Sequence, residues 1–374
     1  MASYKTPTQH LAKLVAIPSI TGDPVGAKKV FDYIESHLAG LPLDVRRYVS
    51  NGFESLVALT PGATKKRTLW LVGHVDTVVA EAHMYKLTER NGKLVGRGSL
   101  DNKCAAAAFI GACETMGNDL RNHSFGIMLS SDEEIGGING TGHLLNSLGY
   151  RGEVAFVPDS GTSWSIESRT KGLLHLKIEA KGKAGHGALP WQGDNAIDRL
   201  VQFIGALRTE LSIPDHSEAR RHYLPTLNVG TISGGEKTNQ IADYASATVD
   251  IRFPEISQLN EFTEAIAILQ KRHSKIRITS LATGQAVHVQ QDNPWLIAYS
   301  KILNKYQFKP RPRKSCGTTD ARHFAAHGIP TIVSQPHGGG VHGPNEWIEK
   351  NGPDQLTAVA RDLILCTGDH KTLS

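Results

Sequence analysis

Three short runs of uninterrupted apolar residues, Leu69–Val72, Phe125–Leu129 and Val154–Val157, constrain what this chain can fold into. A strand that is apolar at every position is buried on both faces, as in the parallel sheets of α/β proteins. Helical signals surround these runs. Asp23 can cap orphan amides and Pro24 suits the first position of a helix. Ala27, Phe31, Ile34 and Leu38 follow at helical spacing, and Gly40 offers a stop. Lys103–Met116, with four consecutive alanines, reads as a second helix. Elements alternating in this way predict an α/β domain with a mainly parallel sheet.

The middle of the chain follows another pattern. Polar and apolar residues alternate over His175–Ala180, and a helical pattern follows over Asp194–Leu211. Strand signals at Thr226–Ile232 and Ala245–Phe253 precede a helix over Leu259–Arg272 and a strand over Ile276–Leu281. The order β-α-β-β-α-β predicts an inserted α+β domain, ferredoxin-like in arrangement. The tail returns to the first pattern, with a helix over Trp295–Tyr306, a buried strand at Thr331–Val333 and a closing helix after Pro353. We therefore expect one domain from residues 1–167 and 285–374, interrupted by a second over residues 168–284.

Composition narrows the function. A length of 374 residues accommodates two such domains. The net charge of +5 is thin for this length, and no Lys/Arg run suggests a nucleic-acid or membrane-surface footprint. No apolar stretch approaches the roughly 20 residues of a membrane helix. The first residues lack the basic-then-apolar order of a secretory signal. Cys104, Cys113, Cys316 and Cys366 form no CxxC pair and read as reduced thiols, so the expected location is cytoplasmic.

Acidic and histidine residues cluster where the apolar runs stop. His74 and Asp76 lie in GHVDTV, Glu133 and Glu134 in SSDEEIGG, and Asp159 in VPDSGT, each past a buried run. Asp101 follows a glycine turn in GRGSLDNK, and His342 lies in the glycine-rich GVHGPNEW. In open α/β sheets ligands bind outside the carboxyl ends of the strands, where residues distant in sequence converge. Nitrogen and carboxylate donors suit zinc-type ions, and two ions a few ångströms apart need a shared carboxylate. One of two adjacent glutamates can bind metal while the other handles a proton. An aspartate two residues past a ligand histidine can hold its far ring nitrogen. Taken singly, each residue has a plainer reading. His74 would be a satisfied buried histidine, Glu133-Glu134 a solvated pair, Asp101 a helix cap and Asp159 turn chemistry. Their common placement at strand ends favours a site.

The ordered motifs IPSITG, GHVDTV, GRGSLDNK, DEEIGG, PDSGT, GKAGHGALP, CGTTDARH and HGPNEW span nearly the whole chain. In order and spacing they resemble the dinuclear zinc hydrolases that include succinyl-diaminopimelate desuccinylase, acetylornithine deacetylase, aminoacylase and glutamate carboxypeptidase. The resemblance implies two divalent metal ions, zinc first, with cobalt or manganese able to substitute. It implies His74 and Asp159 as ligands of one ion, Glu134 and His342 of the other, and Asp101 as the bridge. Asp76 would orient His74, and Glu133 would be the general base. The inserted domain would be a lid and homodimerisation domain, with His186 in GHGALP reaching the partner's site to stabilise the oxyanion. Asn239, Arg252, Thr318, Thr319 and Arg322 would contact substrate. Arg252 has a plainer reading as a strand arginine paired with a nearby acid, and Asp320 reads equally well as structural. Relatives also hold the peptide after the bridging aspartate in the cis form, so Asp101-Asn102 is expected to be cis.

The chain departs from the family at Asn102-Lys103-Cys104, Cys316-Gly317 and His323, all bordering the expected pocket. No ligand is lost. The expected reaction is hydrolysis of the amide of an N-acyl amino acid by metal-activated water, in the manner of a deacetylase or desuccinylase. A dipeptidase or carboxypeptidase of the same family is the alternative, and a non-catalytic metal-binding protein is the rival from another class. Retention of Glu133 speaks against the last, since pure binding requires no base.

Overall fold

The three apolar runs lie side by side at the centre of a six-stranded sheet. The computed structural model describes residues 4–62 and 64–368. Two units separate by their internal contacts: Met1–Ser168, His288–Arg313 and Thr319–Ser374 form the first, and Arg169–Val287 with Lys314–Thr318 the second.

In the first unit the sheet order is Asp44–Ser50, Phe53–Leu59, Phe125–Ser130, Lys66–His74, Arg151–Val157 and Thr331–Val333. The last four strands run parallel, and the first two form an antiparallel hairpin along one edge. The four parallel strands are the ones whose apolar runs are legible in the sequence. In the hairpin, Asp44–Ser50 has no buried residue and carries no apolar run, whereas Phe53–Leu59 ends in the buried run Leu56–Leu59, which is not among the expected strands.

Helices cover the sheet. Pro24–Leu38 begins where expected, with the Asp23 carboxylate accepting from Val25 N. Lys103–Met116 is buried along almost its whole length, between the sheet and the helices Pro7–Val15 and Gly352–Leu365. Its alanines keep those approaches close. Lys103, although buried, is satisfied: its Nζ donates to Leu14 O in the last turn of Pro7–Val15 and to Ile17 O just past it. A second, small antiparallel sheet joins Gly338–Gly339, Trp347–Glu349, Lys93–Val95 and Thr88–Arg90. It matters for the site because it sets the segment leading to Asp101 beside the loop that carries His342.

The second unit is the expected β-α-β-β-α-β arrangement. Its strands Thr226–Gly234, Tyr244–Phe253, Gly172–Lys181 and Ile276–Gly284 pair antiparallel in that order. Apolar residues of Ala196–Glu210 and Gln258–Arg272 close one face of this sheet in a single core. Lys314–Thr318 clusters with this unit, so the division drawn from sequence alone misplaces that segment. The reason is local: Thr318 Oγ1 donates to Lys171 O, and the Tyr223 hydroxyl donates to Ser315 O.

Candidate metal centre

Parallel pairing aligns His74 with Ser130 at the carboxyl ends of neighbouring strands, and Leu71 with Phe156 on the other side. The loops that leave these ends therefore carry His74-Asp76, Glu133-Glu134 and Asp159 into one region. The sharp turn after the glutamates depends on Gly137, whose φ is +60°; a Cβ there would sit 2.2 Å from an Asp320 carboxylate oxygen.

Two triads of candidate ligands result, sharing Asp101. His74, Asp101 and Asp159 each offer an atom within 4.8 Å of one another, as do Asp101, Glu134 and His342. His74 Nε2 lies 2.9 Å from Asp101 Oδ1 and 3.6 Å from Asp159 Oδ1. His342 Nε2 lies 3.1 Å from Asp101 Oδ2 and 3.0 Å from Glu134 Oε2. The two oxygens of Asp101 thus face different triads. The Asp101-Asn102 peptide is cis, as the resemblance implies.

Asp76 does more than the sequence suggests. The nearest partner of His74 Nδ1 is the main-chain oxygen of Asp76 at 3.0 Å, with Oδ1 at 3.4 Å. This acceptor places a proton on Nδ1 and turns Nε2 toward the carboxylates. The Asp76 carboxylate meanwhile accepts from Thr21 Oγ1 and from the amides of Glu133 and Glu134. Asn102, at one of the departures from the family pattern, donates from Nδ2 to Pro158 O at 2.5 Å, tying the Asp101 loop to the Asp159 loop.

Five carboxylates and two imidazoles crowd this region, and their proton affinities show the crowding. Burial, and then the Asp101 charge, push Asp159 up to about 7 despite its bond to His74. Burial and the Asp159 charge raise Glu133 well above the ordinary carboxylate range. Burial and Asp101 raise Glu134. Burial alone would lower His74, but its bonds to Asp101, Asp159 and Asp76 outweigh that and raise it well above its usual value. His342 is raised to about 8, chiefly by Asp101. Burial also works against the Asp101 charge, yet His342 and His74 hold its carboxyl low. A set of N and O donors whose buried carboxylates repel one another when ionised fits a pair of divalent cations.

The remaining expected residues fall in both units. In the first, Thr319 Oγ1 accepts from Ala321 N, and buried Arg322 sits close enough to favour the Glu133 carboxylate. Asp320 accepts from the Thr141 and Ser130 hydroxyls. In the second, His186 pairs with Gln240, and Gly187 N donates to Asn239 O, so His186 and Asn239 are neighbours. His186 Nδ1 accepts from Ala188 N, which leaves its proton on the exposed Nε2. Arg252 donates from Nε to Asp250 Oδ1 at 2.7 Å and from Nη1 to Thr318 Oγ1 at 3.3 Å. The acid partner that the plainer reading of Arg252 anticipated is therefore Asp250.

Sequence reasoning missed Thr21, Arg97 and Glu346, which hold the site's loops, and a separate cluster of His10, His37 and Glu114. Glu346 stood inside the motif quoted for His342, but nothing in its mostly exposed neighbours marked it for burial.

The geometry has its counterpart in known proteins. Residues 70–365 match peptidase family M20/M25/M40. A succinyl-diaminopimelate desuccinylase of Cereibacter sphaeroides is 27% identical over 94% of this chain and 96% of its own. Among solved structures, an M20 family metallo-carboxypeptidase, Sso-CP2 from Sulfolobus solfataricus, superposes with a TM-score of 0.77 at 17% identity, covering 98% of this chain and 100% of that one. The aminopeptidase PepT from Bacillus cereus gives 0.76 at 19% identity over 96% and 97%. With the family match extending over most of its length, the chain belongs to the M20/M25/M40 peptidase family.

Proposed function

We propose that the protein hydrolyses the amide bond of a small N-acyl amino acid, with Glu133 as general base and His74, Asp101, Glu134, Asp159 and His342 as ligands of two divalent metal ions. Membership of the family makes it an enzyme acting on amide or peptide bonds. The observation that carries the finer reading is the sharing of Asp101: one carboxylate faces two triads, with an additional glutamate, Glu133, beside them that neither triad uses.

When bound, the ions would polarise the scissile carbonyl and acidify water. The residues would do the rest. Glu133, whose pKa is lifted above that of an ordinary carboxylate, takes the proton from the attacking water and delivers it to the departing amine. Asp76 holds His74 by its main chain and Glu133 by its side chain, fixing base and ligand together. His186, with its proton on Nε2, suits an N–H donor to the tetrahedral oxyanion, in a homodimer contributed from the partner subunit. Arg252, steadied by Asp250, suits a substrate carboxylate, with Asn239, Thr318, Thr319 and Arg322 completing the contacts.

The desuccinylase relatives favour deacylation, whereas the solved structures named above are peptidases. A hydrolysis panel decides between them. Zinc-, cobalt- and manganese-loaded protein is offered acetyl-, succinyl- and peptide-linked amino acids, with release of free amine measured. Turnover confined to N-acyl substrates is the expected result; turnover confined to dipeptides or to carboxyl-terminal residues would replace this reading with a peptidase.

A further inference from the structure

Glu346 takes no part in the chemistry above, yet its side chain is fully buried and its carboxylate accepts from four donors. Oε1 accepts from the amides of Leu100 at 2.9 Å and Asp101 at 3.0 Å. Oε2 accepts from Gly98 N at 3.1 Å and from Arg97 Nη1 at 2.6 Å. The turn that delivers Asp101 is thus wrapped around one carboxylate. The same guanidinium reaches the other way: Arg97 Nη2 donates to Gly343 O at 3.0 Å, one residue past His342. His342 itself has a φ of +62°, a left-handed conformation that a non-glycine residue keeps only where its surroundings enforce it. Pairing of Trp347–Glu349 with Lys93–Val95, and the bond from Gly96 N to Glu346 O, fix the base of the same strut.

We propose that Glu346, with Arg97, is a positioning residue that sets the spacing between Asp101 and His342 and thereby the affinity for the cation those residues would share with Glu134. The proposal rests on the metal-ligand reading above. The residue type matters for a stated reason. An ionised carboxylate can accept from four donors and needs no acceptor. Glutamine in its place would point an NH2 group at amide N–H groups and lose part of the set. Aspartate is one methylene too short to reach both the turn and the guanidinium. Lysine at position 97 would keep a positive charge but not the planar fork that grips Glu346 and Gly343 O together.

The test is competition between the protein and a graded series of zinc chelators, resolving the affinities of the two ions. Glu346→Gln should bind one ion about 10–100-fold more weakly, the usual consequence of removing a partner that orients a ligand. The other ion should be affected less, because His74 and Asp159 have their own supports. Arg97→Lys should weaken the same ion by a smaller factor. Unfolding of the metal-free variants is measured alongside. A Glu346→Gln protein that is less stable but binds both ions as the wild type does would overturn the proposal. If Glu346→Gln does not fold, unchanged affinities in a folded Arg97→Lys would overturn it equally. His342→Ala separates the two levels of inference. Wild type that takes up two ions, one lost in His342→Ala, supports the ligand reading whatever Glu346 does. Wild type indifferent to His342→Ala would sink that reading and the strut with it.

Discussion

Two clusters in the first unit use the same chemistry and lead to opposite expectations. One is the strand-end region of His74, Asp101, Glu134, Asp159 and His342. The other is His10, His37 and Glu114, brought together by the helices Pro7–Val15, Pro24–Leu38 and Lys103–Met116. Both offer imidazole and carboxylate atoms within 4.8 Å of one another. The helix cluster is closed by hydrogen bonds. Glu114 Oε2 meets His10 Nε2 at 3.1 Å, and Oε1 meets His37 Nδ1 at 2.9 Å. The far nitrogens of the two rings face the Tyr33 hydroxyl and the Lys5 ammonium. One carboxylate receives two N–H groups, and each ring accepts at its other nitrogen, so no charge is left over. In the strand-end cluster carboxylates outnumber imidazoles, and burial raises three of them, Glu133, Glu134 and Asp159. Proximity of donors alone does not argue for a metal site; buried carboxylates in excess of the imidazoles beside them do, because a buried charge calls for a partner.

The largest effect should come from removing the proposed proton acceptor without touching a proposed ligand. Glu133→Gln is expected to keep both ions and lose turnover by at least about 10²–10⁴-fold, the usual contribution of general acid–base catalysis. Metal content by elemental analysis and single-turnover kinetics check the two halves separately. Near-normal turnover in a fully loaded variant would show that the strand-end cluster works without this base.

A middle-sized effect should come from the matching carboxylate in the other cluster. Glu114→Gln leaves one buried imidazole N–H facing an amide NH2, and an unmade buried hydrogen bond costs about 1–3 kcal/mol. Stability should fall by that order while the number of bound ions and the turnover stay as in the wild type. Loss of an ion on Glu114→Gln would erase the distinction between the clusters.

The contrast also explains what could be read from the sequence. His74, Glu134 and Asp159 announce themselves because each follows an apolar run whose direction and burial are legible, so their convergence follows from the topology of parallel strands, whereas Asp101 and His342 lie in glycine-rich turns and are found through their motifs. His10, His37 and Glu114 sit on three helices, and nothing in one helix says which inward-facing side chain of another it will meet. The hydrogen bond from His74 to the Asp76 main-chain oxygen is invisible for a different reason, since every residue has a carbonyl. The strut of Glu346 is half visible: the residue stands in a motif, but its four donors are three main-chain amides and an arginine over 200 positions away. The edge strand Asp44–Ser50 escaped because it has no buried residue and so needs no apolar run, and its neighbour Phe53–Leu59 escaped although its run Leu56–Leu59 is buried.

The smallest effect sharpens the comparison through pH. Burial lowers the pKa of His10, against the raising influence of Glu114, because the neutral ring is what this closed network accommodates. A group whose folded pKa is depressed binds fewer protons in the folded state than in the unfolded one throughout the interval between its two pKa values. Its contribution to stability is therefore fully present above the unfolded value of about 6.5 and is lost as pH falls toward the folded value. Metal-free protein is unfolded by denaturant at a series of pH values from about 8 to 5, and the part of its stability that depends on His10 should fall as pH drops below about 6.5. His10→Gln keeps a polar side chain of similar size but cannot titrate, so the wild type's stability advantage over it should shrink as pH falls across that interval. Chelator is present throughout so that protons and metal do not compete at the strand-end ligands, whose own titration is common to both proteins and cancels in the difference. An identical slope in the two proteins would mean that His10 does not titrate differently on unfolding, and that the helix cluster tolerates a charged ring after all.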